Sequence, residues 1–234
     1  MLTGNHTHTS GTYGGISVTG SSGPITTDGT LEIKRSNSVS LGQGITSSGS
    51  LAQTGPGNTT LSGDSNTYSG GTTISNGTLL ATNPSPTSSA TGSGSVAFEN
   101  SARLAGTGRI TGGVAFQTGS KLVIGNLFGG SNGRDFEFGG LLSSTGAFEA
   151  RLDLFSHLGN GTLNSSLSAD QLVISGTDRL IDLDIQLVLG NPNSLLNWAA
   201  GDSWYLWTWG GISLGNRQIT LSSLSARTLP GGLF

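Results

Sequence analysis

"GSVAFENSARLAGTGRITGGVAFQTGSKL", residues 94–122, states one phrase twice. The Val-Ala-Phe of residues 96–98 returns at 114–116, and Leu104 returns as Leu122 at the same spacing. An active site is assembled once from a few residues, whereas stacked structural units must each present similar side chains to their neighbours. The echo therefore predicts a repeat architecture in which one unit lies on the next.

The composition excludes several classes of protein. The chain has 234 residues, of which 40 are glycine, 33% are hydrophobic and only 10% are charged, so turns must be frequent in a chain that can still bury a core. The net charge is −3 and the ten basic residues are scattered, which argues against a nucleic-acid partner. With no cysteine, disulfides and thiolate metal sites are excluded. We predict no cofactor.

Local patterns favour β-strands almost everywhere. Residues 29–33, 71–80 and 183–189 are short, β-branched or alternating stretches bounded by Gly, Asn, Asp or Ser, as strands usually are. Residues 146–158 fit a helical stripe through Phe148, Leu152 and Phe155, but alternate residues there also fit a strand, which we favour. The sequence therefore predicts an all-β fold.

The spacing of leucines indicates the length of one repeat. Several leucines close a phrase of the form small-x-Leu: Leu31, Leu51, Leu79, Leu104, Leu122 and Leu163. Most of them are separated along the chain by a number of residues that suits one coil of a β-solenoid. A coil has two or three short strands joined by bends and buries its inner face only against another coil, stacked about 4.8 Å away.

The echo makes a specific prediction within this scheme. Val96 and Phe98 should point inward in register with Val114 and Phe116, and Leu104 should stack on Leu122. The neighbouring Arg103 and Lys121 should lie outside in water.

One stretch carries a recognisable motif. Residues 49–83 contain the phrases Gly-Ser-Leu (49–51), Thr-Gly-Pro-Gly (54–57), Thr-Leu-Ser-Gly (60–63), Asn-Thr-Tyr-Ser-Gly-Gly-Thr (66–72) and Gly-Thr-Leu (77–79). This order resembles the passenger-associated transport repeat, also called the autotransporter-associated β-strand repeat. Pro56 departs from the pattern, since that position is usually small. The resemblance extends over about residues 29–126.

The resemblance implies a right-handed parallel β-helix that forms part of a large exported bacterial protein, secreted or at the cell surface. Residues 1–28 are then an irregular start or first coil, 29–126 the repeats, 127–140 a boundary loop, and 141–234 a thicker C-terminal region that continues or caps the solenoid. The sequence shows no signal peptide and no apolar stretch of membrane-spanning length. We expect a passenger fragment rather than a membrane-spanning protein.

Several groups of residues have the appearance of chemical sites. His6 and His8 could face one side of a strand as a metal pair, but no Cys, Asp or Glu nearby completes a ligand set. Ser203 lies in a Gly-Asp-Ser-Trp phrase like a hydrolase nucleophile, yet no histidine follows it and His157 precedes it. Asp182 and Asp184 could form a carboxylate pair.

A purely structural interpretation of these groups is favoured. The two aspartates alternate with Ile and Leu, which is typical of the wet face of a half-buried strand. The Gly-Thr-Gly of residues 106–108 is too sparse for a nucleotide-binding loop, since no helix follows it.

The tryptophans are the candidate ligand site. Trp rings stack on sugars and are enriched at interfaces, so an exposed cluster would make a glycan-binding or adhesive patch from Trp198, Trp204, Trp207 and Trp209. The residues from 204 to 209 would point to alternating sides of a strand covered on both faces, which favours a place in the core or cap.

These observations rank three functions. A non-enzymatic structural segment comes first, an adhesin or glycan-binding module that uses the tryptophans second, and a β-helical polysaccharide lyase or hydrolase third. The third needs acids and bases clustered on one face, but residues 1–130 contain only nine charged residues. Surface glycans, or further copies of the chain joined through open solenoid ends, are the predicted partners.

Overall fold

The computed structural model describes most of the N-terminal two thirds of the chain and isolated strands beyond it. The described residues are 11–13, 16–18, 23–85, 87–100, 102–124, 135–146, 148–153, 171–174, 180–181, 185–190, 207–209, 213–214 and 219–220. Among them there is no helix, and hence none long and apolar enough to span a membrane.

Short β-strands make up the regular structure of these residues. In chain order they are β1 (Gly11–Tyr13), β2 (Ile16–Val18), β3 (Ile25–Thr27), β4 (Thr30–Ile33), β5 (Val39–Leu41), β6 (Ile45–Thr46), β7 (Ser50–Gln53), β8 (Asn58–Leu61), β9 (Thr72–Ile74), β10 (Thr78–Ala81), β11 (Val96–Phe98), β12 (Arg103–Gly106), β13 (Arg109–Ile110), β14 (Val114–Phe116), β15 (Lys121–Ile124), β16 (Asp135–Phe138), β17 (Leu142–Ser144), β18 (Phe148–Asp153), β19 (Gln171–Ile174), β20 (Leu180–Ile181), β21 (Ile185–Gly190), β22 (Trp207–Trp209), β23 (Ser213–Leu214) and β24 (Ile219–Thr220).

Most of the strands form three walls that the chain visits in turn, and β20 pairs with β23 in a separate two-stranded sheet. Wall A has the order β4-β7-β9-β11-β14-β17, and wall B has the order β5-β8-β10-β12-β15-β18-β21-β24. Wall C consists of β3-β6 and, further along, β13-β16-β19-β22. Every pairing within the walls is parallel, because each coil returns to a wall in the direction of the last. The fold is a parallel β-solenoid, as predicted.

The echo of residues 94–122 is one coil lying on another. Val96 pairs with Val114 in wall A and Leu104 pairs with Leu122 in wall B, both in parallel. The Phe98 and Phe116 side chains are fully buried, and their ring centroids are 4.9 Å apart. The prediction for the apolar members of the echo is therefore confirmed.

The two cations of the echo are less exposed than predicted. Arg103 pairs with Lys121, but both residues are half-buried, and Arg103 Nε is buried without a hydrogen-bond partner. Lys121 Nζ lies 3.1 Å from Glu149 Oε2 in the next coil. The outer side of wall B holds a separate buried apolar cluster of Leu80, Ala105 and Val123, so the aliphatic stems extend beside apolar surface rather than open water.

The leucine spacing mixes two ladders. Leu31 pairs with Leu51 in wall A, where the next coil has Thr72 in that position. The leucines at 79, 104 and 122 instead form a ladder in wall B. Both walls have inward apolar residues, so leucines from two different walls were grouped in one series by their spacing. Leu163 lies outside the described residues.

The coils that follow β14 are longer than those before it. Thr30 pairs with Ser50 near the start of wall A, whereas Val114 pairs with Leu142 near its end. In wall B, Glu149 pairs with Gln186, and the stretch of chain between these two partners is longer still. The strand predicted within 146–158 is β18; the thicker C-terminal region stays a prediction.

Antiparallel pairing occurs at the N-terminal side of wall C. There β1 pairs with β2, and β2 pairs with β3, both antiparallel. Only Gly14 and Gly15 separate β1 from β2, and a Gly-Gly pair between strands is a signal for a two-residue hairpin connection. The predicted boundary at 127–140 contains β16, which pairs with β13; the proposed domain limits stay predictions.

Truncation of the stacked phenylalanines should destabilise the solenoid far more than a change at an exposed neighbouring position. The Phe116 ring lies between Phe98 and Phe148, with centroids 4.9 and 4.1 Å away. We expect Phe98→Ala and Phe116→Ala each to lower the free energy of unfolding by about 3–5 kcal/mol, with Phe116→Ala the larger loss because it removes the middle ring of the stack. Ala97→Ser, at an exposed position between two buried ones, should cost under about 0.5 kcal/mol in the same denaturant titration. Equal losses in all three variants would contradict the inward stack.

Candidate functional site: an asparagine clasp between coils

Wall C is interrupted in the middle of the solenoid, and a side chain bridges the interruption. Between β6 and β13 no strand of wall C is present among the described residues. The chain passes this place at residues 66–68, where Thr67 N donates to Ile45 O at 2.8 Å, and again at Ala90, whose N–H donates to Arg109 O at 2.8 Å. These backbone bonds leave the Ile45 N–H and the Ala90 carbonyl to be satisfied by another group.

Asn66 supplies those partners. Its Oδ1 accepts a hydrogen bond from Ile45 N at 2.7 Å, in the coil before. Its Nδ2 donates to Gly63 O at 3.0 Å in its own coil and to Ala90 O at 2.8 Å in the coil after. The residue is 5% exposed. One amide thus bonds three successive coils, and we call this arrangement the asparagine clasp.

The clasp works because a carboxamide offers the same kinds of group as a peptide, a carbonyl acceptor and N–H donors, here two donors on one nitrogen. A parallel strand of wall C would have bonded both neighbouring coils through its backbone, and Asn66 bonds both through its side chain. Buried N–H and C=O groups cost about 1–3 kcal/mol each when left without a partner. The clasp therefore stabilises coil stacking where no β-ladder can.

Tyr68, two positions after the clasp, fills the core beneath it. Its side chain is fully buried, and its hydroxyl lies 2.6 Å from Thr72 Oγ1. Burial raises the pKa of the Tyr68 phenol well above its usual range, and the hydrogen bond with Thr72 opposes this only in part.

Gly71 lets the chain turn from the clasp into β9. Its φ of 86° lies in the left-handed region, and a Cβ at this position would come 2.8 Å from Ser95 O of the next coil. Close approach of the next coil therefore requires glycine here.

A second buried amide organises the bend between walls A and B. Gln53 Nε2 donates to Gly55 O at 2.7 Å and to Gly57 O at 3.1 Å, and Gln53 Oε1 accepts from the Thr59 hydroxyl. This bend contains Pro56, the departure from the motif, which is exposed. The Gln53 amide thus provides hydrogen-bond partners for the Gly55 and Gly57 carbonyls and the Thr59 hydroxyl within their own coil.

The next coil reuses the same chemistry. Asn83 Oδ1 accepts from Arg109 N at 2.9 Å, and its Nδ2 lies 3.2 Å from Ser88 Oγ. Arg109 Nε in turn lies 2.9 Å from Glu137 Oε1 in the coil that follows. Side-chain amides and ion pairs thus connect successive coils along this side of the solenoid.

Such a structure, in which short parallel coils are joined by inward ladders and side-chain amides, defines a β-solenoid repeat protein. The family model described as passenger-associated-transport-repeat matches residues 51–81. The match begins in β7, ends at the last residue of β10, and includes Asn66 and Tyr68. The chain therefore carries an autotransporter-associated repeat, as the resemblance predicted. No curated protein and no solved structure matches the chain.

The structure places only part of the tryptophan group. Trp198 and Trp204 lie outside the described residues. Trp207 and Trp209 lie in β22, where the backbone register sets them beside Leu172 and Ile174 of β19. A glycan-binding role for the tryptophans stays a prediction.

The other suggested sites are not brought together by the described residues. The positions of His6, His8, His157 and Ser203 lie outside them, as do Asp182 and Asp184, which precede β21. Among the residues that the structure does describe, no group of three or more His, Cys, Asp or Glu could hold a metal ion.

The Gly-Thr-Gly of residues 106–108 forms a corner of a coil. Thr107 N and Gly108 N both donate to Ala81 O, each at 3.0 Å. The backbone N–H groups of Thr107 and Gly108 are thus used to bond the preceding coil, which supports a structural role for this Gly-Thr-Gly.

Removal of the clasp should destabilise the solenoid. In Asn66→Ala the Ile45 N–H and the Gly63 and Ala90 carbonyls lose their side-chain partner, so we expect a loss of about 2–3 kcal/mol in a denaturant titration. Asn58→Ala, at a half-buried position on the outer side of β8, should lose under about 0.5 kcal/mol.

An isosteric variant tests the direction of the hydrogen bonds. Asn66→Asp retains an acceptor for Ile45 N–H but sets a carboxylate against two carbonyl oxygens, so it should be at least as destabilising as Asn66→Ala at neutral pH. Protonation at low pH restores one donor, and the difference between the two variants should then shrink or reverse. If Asn66→Asp is tolerated at neutral pH, the donor bonds to Gly63 and Ala90 are not the source of the stability.

The Tyr68 phenol should make the fold sensitive to alkali. Because the pKa of Tyr68 is raised by folding, its contribution is fully present below the unfolded pKa of about 10 and is lost as pH rises above that value. We expect the free energy of unfolding to fall between about pH 10 and 12. In Tyr68→Phe this fall should be smaller, at a cost near neutral pH of about 1 kcal/mol for the lost bond to Thr72. The same alkaline slope in both proteins would show that Tyr68 ionises freely in the fold.

Proposed function

We propose that this chain is a structural segment of the passenger of a secreted or surface-exposed bacterial protein, and that it has no enzymatic activity. Its function in this proposal is to extend a rigid solenoid, one coil at a time, from the bacterial surface. The passenger-associated-transport-repeat match supports the class of protein.

The observation that carries the proposal is the dependence of the clasp on three coils. Asn66 bonds Ile45 in the coil before and Ala90 in the coil after, so its hydrogen bonds are complete only when both neighbours are folded. A coil that has just formed therefore stabilises the next one by offering unpaired groups to it. Such propagation from neighbour to neighbour suits a chain that folds progressively as it emerges from a pore.

The composition supports folding without covalent assistance. The chain has no cysteine, so stacking does not wait for disulfide formation. Its described ion pairs, between Arg109 and Glu137 and between Lys121 and Glu149, each join one coil to the next. Both non-covalent pairs therefore serve stacking.

Surface display tests the proposal directly. The chain should be placed as passenger between a secretion signal and the pore-forming domain of an unrelated autotransporter, and protease should be added to intact cells. We expect the wild-type chain at the surface as a protease-resistant core. Asn66→Ala should reach the surface in a more protease-sensitive form, while Asn58→Ala should behave as wild type.

A second pair of assays tests the absence of chemistry. On a glycan array and in a polysaccharide-degradation assay, the purified chain should give neither binding nor turnover. Binding without turnover would support the adhesin alternative, and turnover the lyase or hydrolase alternative. Retention of the wild-type passenger inside the cell would contradict the passenger role itself.

A further inference from the structure

The bend between β9 and β10 holds an asparagine in an unusual relation to its own backbone. Asn76 is exposed and is followed by Gly77. The Gly77 N–H donates to Asn76 Oδ1 at 2.8 Å, so the side chain is folded back over the peptide bond that follows it. The carbon Cγ, one bond from that oxygen, is therefore held near the Gly77 nitrogen.

The hydrogen bonds of this bend set the Gly77 nitrogen apart from its neighbours. Ser75 N and Asn76 N donate to Gln53 O at 2.9 and 3.3 Å, and Thr78 N donates to Gly57 O at 3.1 Å. Those three bonds join the bend to the preceding coil. The Gly77 N–H donates instead to an exposed side chain of its own bend, so it can leave that bond without disturbing the stack.

The geometry points to Asn76 as a site of spontaneous modification: we propose that Asn76 of the folded chain converts to aspartyl and isoaspartyl forms. Hydroxide or water removes the Gly77 amide proton, and the nitrogen forms a bond to Asn76 Cγ. The Cγ–Nδ2 bond breaks and ammonia leaves, which produces a five-membered succinimide. Water then adds to either ring carbonyl and opens the ring, so one water is consumed and one ammonia released overall.

Glycine at position 77 favours this step because it has no side chain to block the approach of its nitrogen to Cγ. Its φ of 64° is a backbone conformation that L side chains rarely adopt, so the bend itself favours glycine here. Gly77 cannot be replaced without disturbing the stack, because a Cβ there would overlap the carbonyl oxygens of Gly55 and Gly57. Coil stacking therefore requires the residue that makes Asn76 reactive.

Opening of the ring to isoaspartate would weaken the same contact. The isoaspartyl linkage adds a methylene to the backbone between residues 76 and 77, and Gly77 lies directly against the preceding coil. The bonds from Ser75 N to Gln53 O and from Thr78 N to Gly57 O, on the two sides of the linkage, would then no longer fit one register. A modified chain should accordingly have a loosened corner between walls A and B.

Two other asparagines serve as internal controls. Asn66 is buried, and both polar atoms of its amide are bonded to other residues in the clasp, so its Cγ is shielded from attack. Asn83 is followed by Pro84, which has no N–H to lose. Neither should change under conditions that modify Asn76.

The test is a timed incubation of the purified native chain at neutral and at mildly acidic pH, followed by proteolysis and tandem mass spectrometry. We expect the mass increase that accompanies replacement of NH₂ by OH at Asn76, faster at neutral pH, with isoaspartate detected by an isoaspartyl methyltransferase. Asn66 and Asn83 should remain unmodified. In Asn76→Gln, whose longer side chain does not form the five-membered ring, the signal at 76 should vanish while the protein remains folded.

A second readout follows the structural consequence. The melting temperature of the incubated wild-type chain should fall by a few degrees, and that of incubated Asn76→Gln should not. Asn132 and Asn160 are also followed by glycine, so their modification shows that the conditions support the reaction. Protection of Asn76 in the native chain, with modification only after denaturation in urea, would overturn the proposal, as would modification of Asn66 at a similar rate.

Discussion

Hydrogen bonds between successive coils are the constraint on which the rest of this structure depends. A single coil has too little inner volume to fold alone, so each must satisfy its backbone against the coil before and the coil after. Walls A and B do this with continuous parallel ladders. Wall C does it with a ladder at each end and, in the middle, with the side-chain amide of Asn66. Loss of this one amide therefore removes side-chain bonds to the coil before and to the coil after.

The inner ladders show how the solenoid accommodates coils of different length. The Phe98 and Phe116 rings belong to wall A, whereas Phe148, which continues the stack 4.1 Å beyond Phe116, belongs to wall B. In wall A the residue that pairs with Phe116 in the next coil is only Ser144. The aromatic column thus passes from one wall to another at the coil that is longer than those before it. A larger coil rearranges its corner, and a large side chain from the adjacent wall fills the space.

The fold was predictable from the sequence because the echo repeats side chains that face one another. Val96 and Val114, or Leu104 and Leu122, recur since identical inward positions of stacked coils meet the same neighbours. The clasp was not predictable as a site, because Asn66 is polar and buried and its partners are backbone groups that carry no sequence signal. The predicted exposure of Arg103 and Lys121 was too high. Alternation along a strand predicts which side of the wall a side chain is on, but not which neighbouring groups cover it there.

Among the described residues, the outermost strands of walls A and C carry features that oppose the pairing of a further parallel strand. Strand edges present unpaired N–H and C=O groups, and charged side chains are one means of discouraging a second chain from pairing there. Asp28, Glu32, Lys34 and Arg35 lie in or beside β4, whereas Asp64 is the sole charged residue between positions 36 and 98. The charge of Asp28 is also fixed by the second coil, because the Ser47 and Ser48 hydroxyls donate to its carboxyl, lower its pKa and favour the charged form. Wall C, whose first parallel strand is β3, has the antiparallel strands β1 and β2 on the same side. A further parallel coil would therefore meet charge at wall A and a reversed strand direction at wall C. Both features oppose the stacking of another coil on this side, whereas the coils between positions 36 and 98, which carry only Asp64, stack on one another.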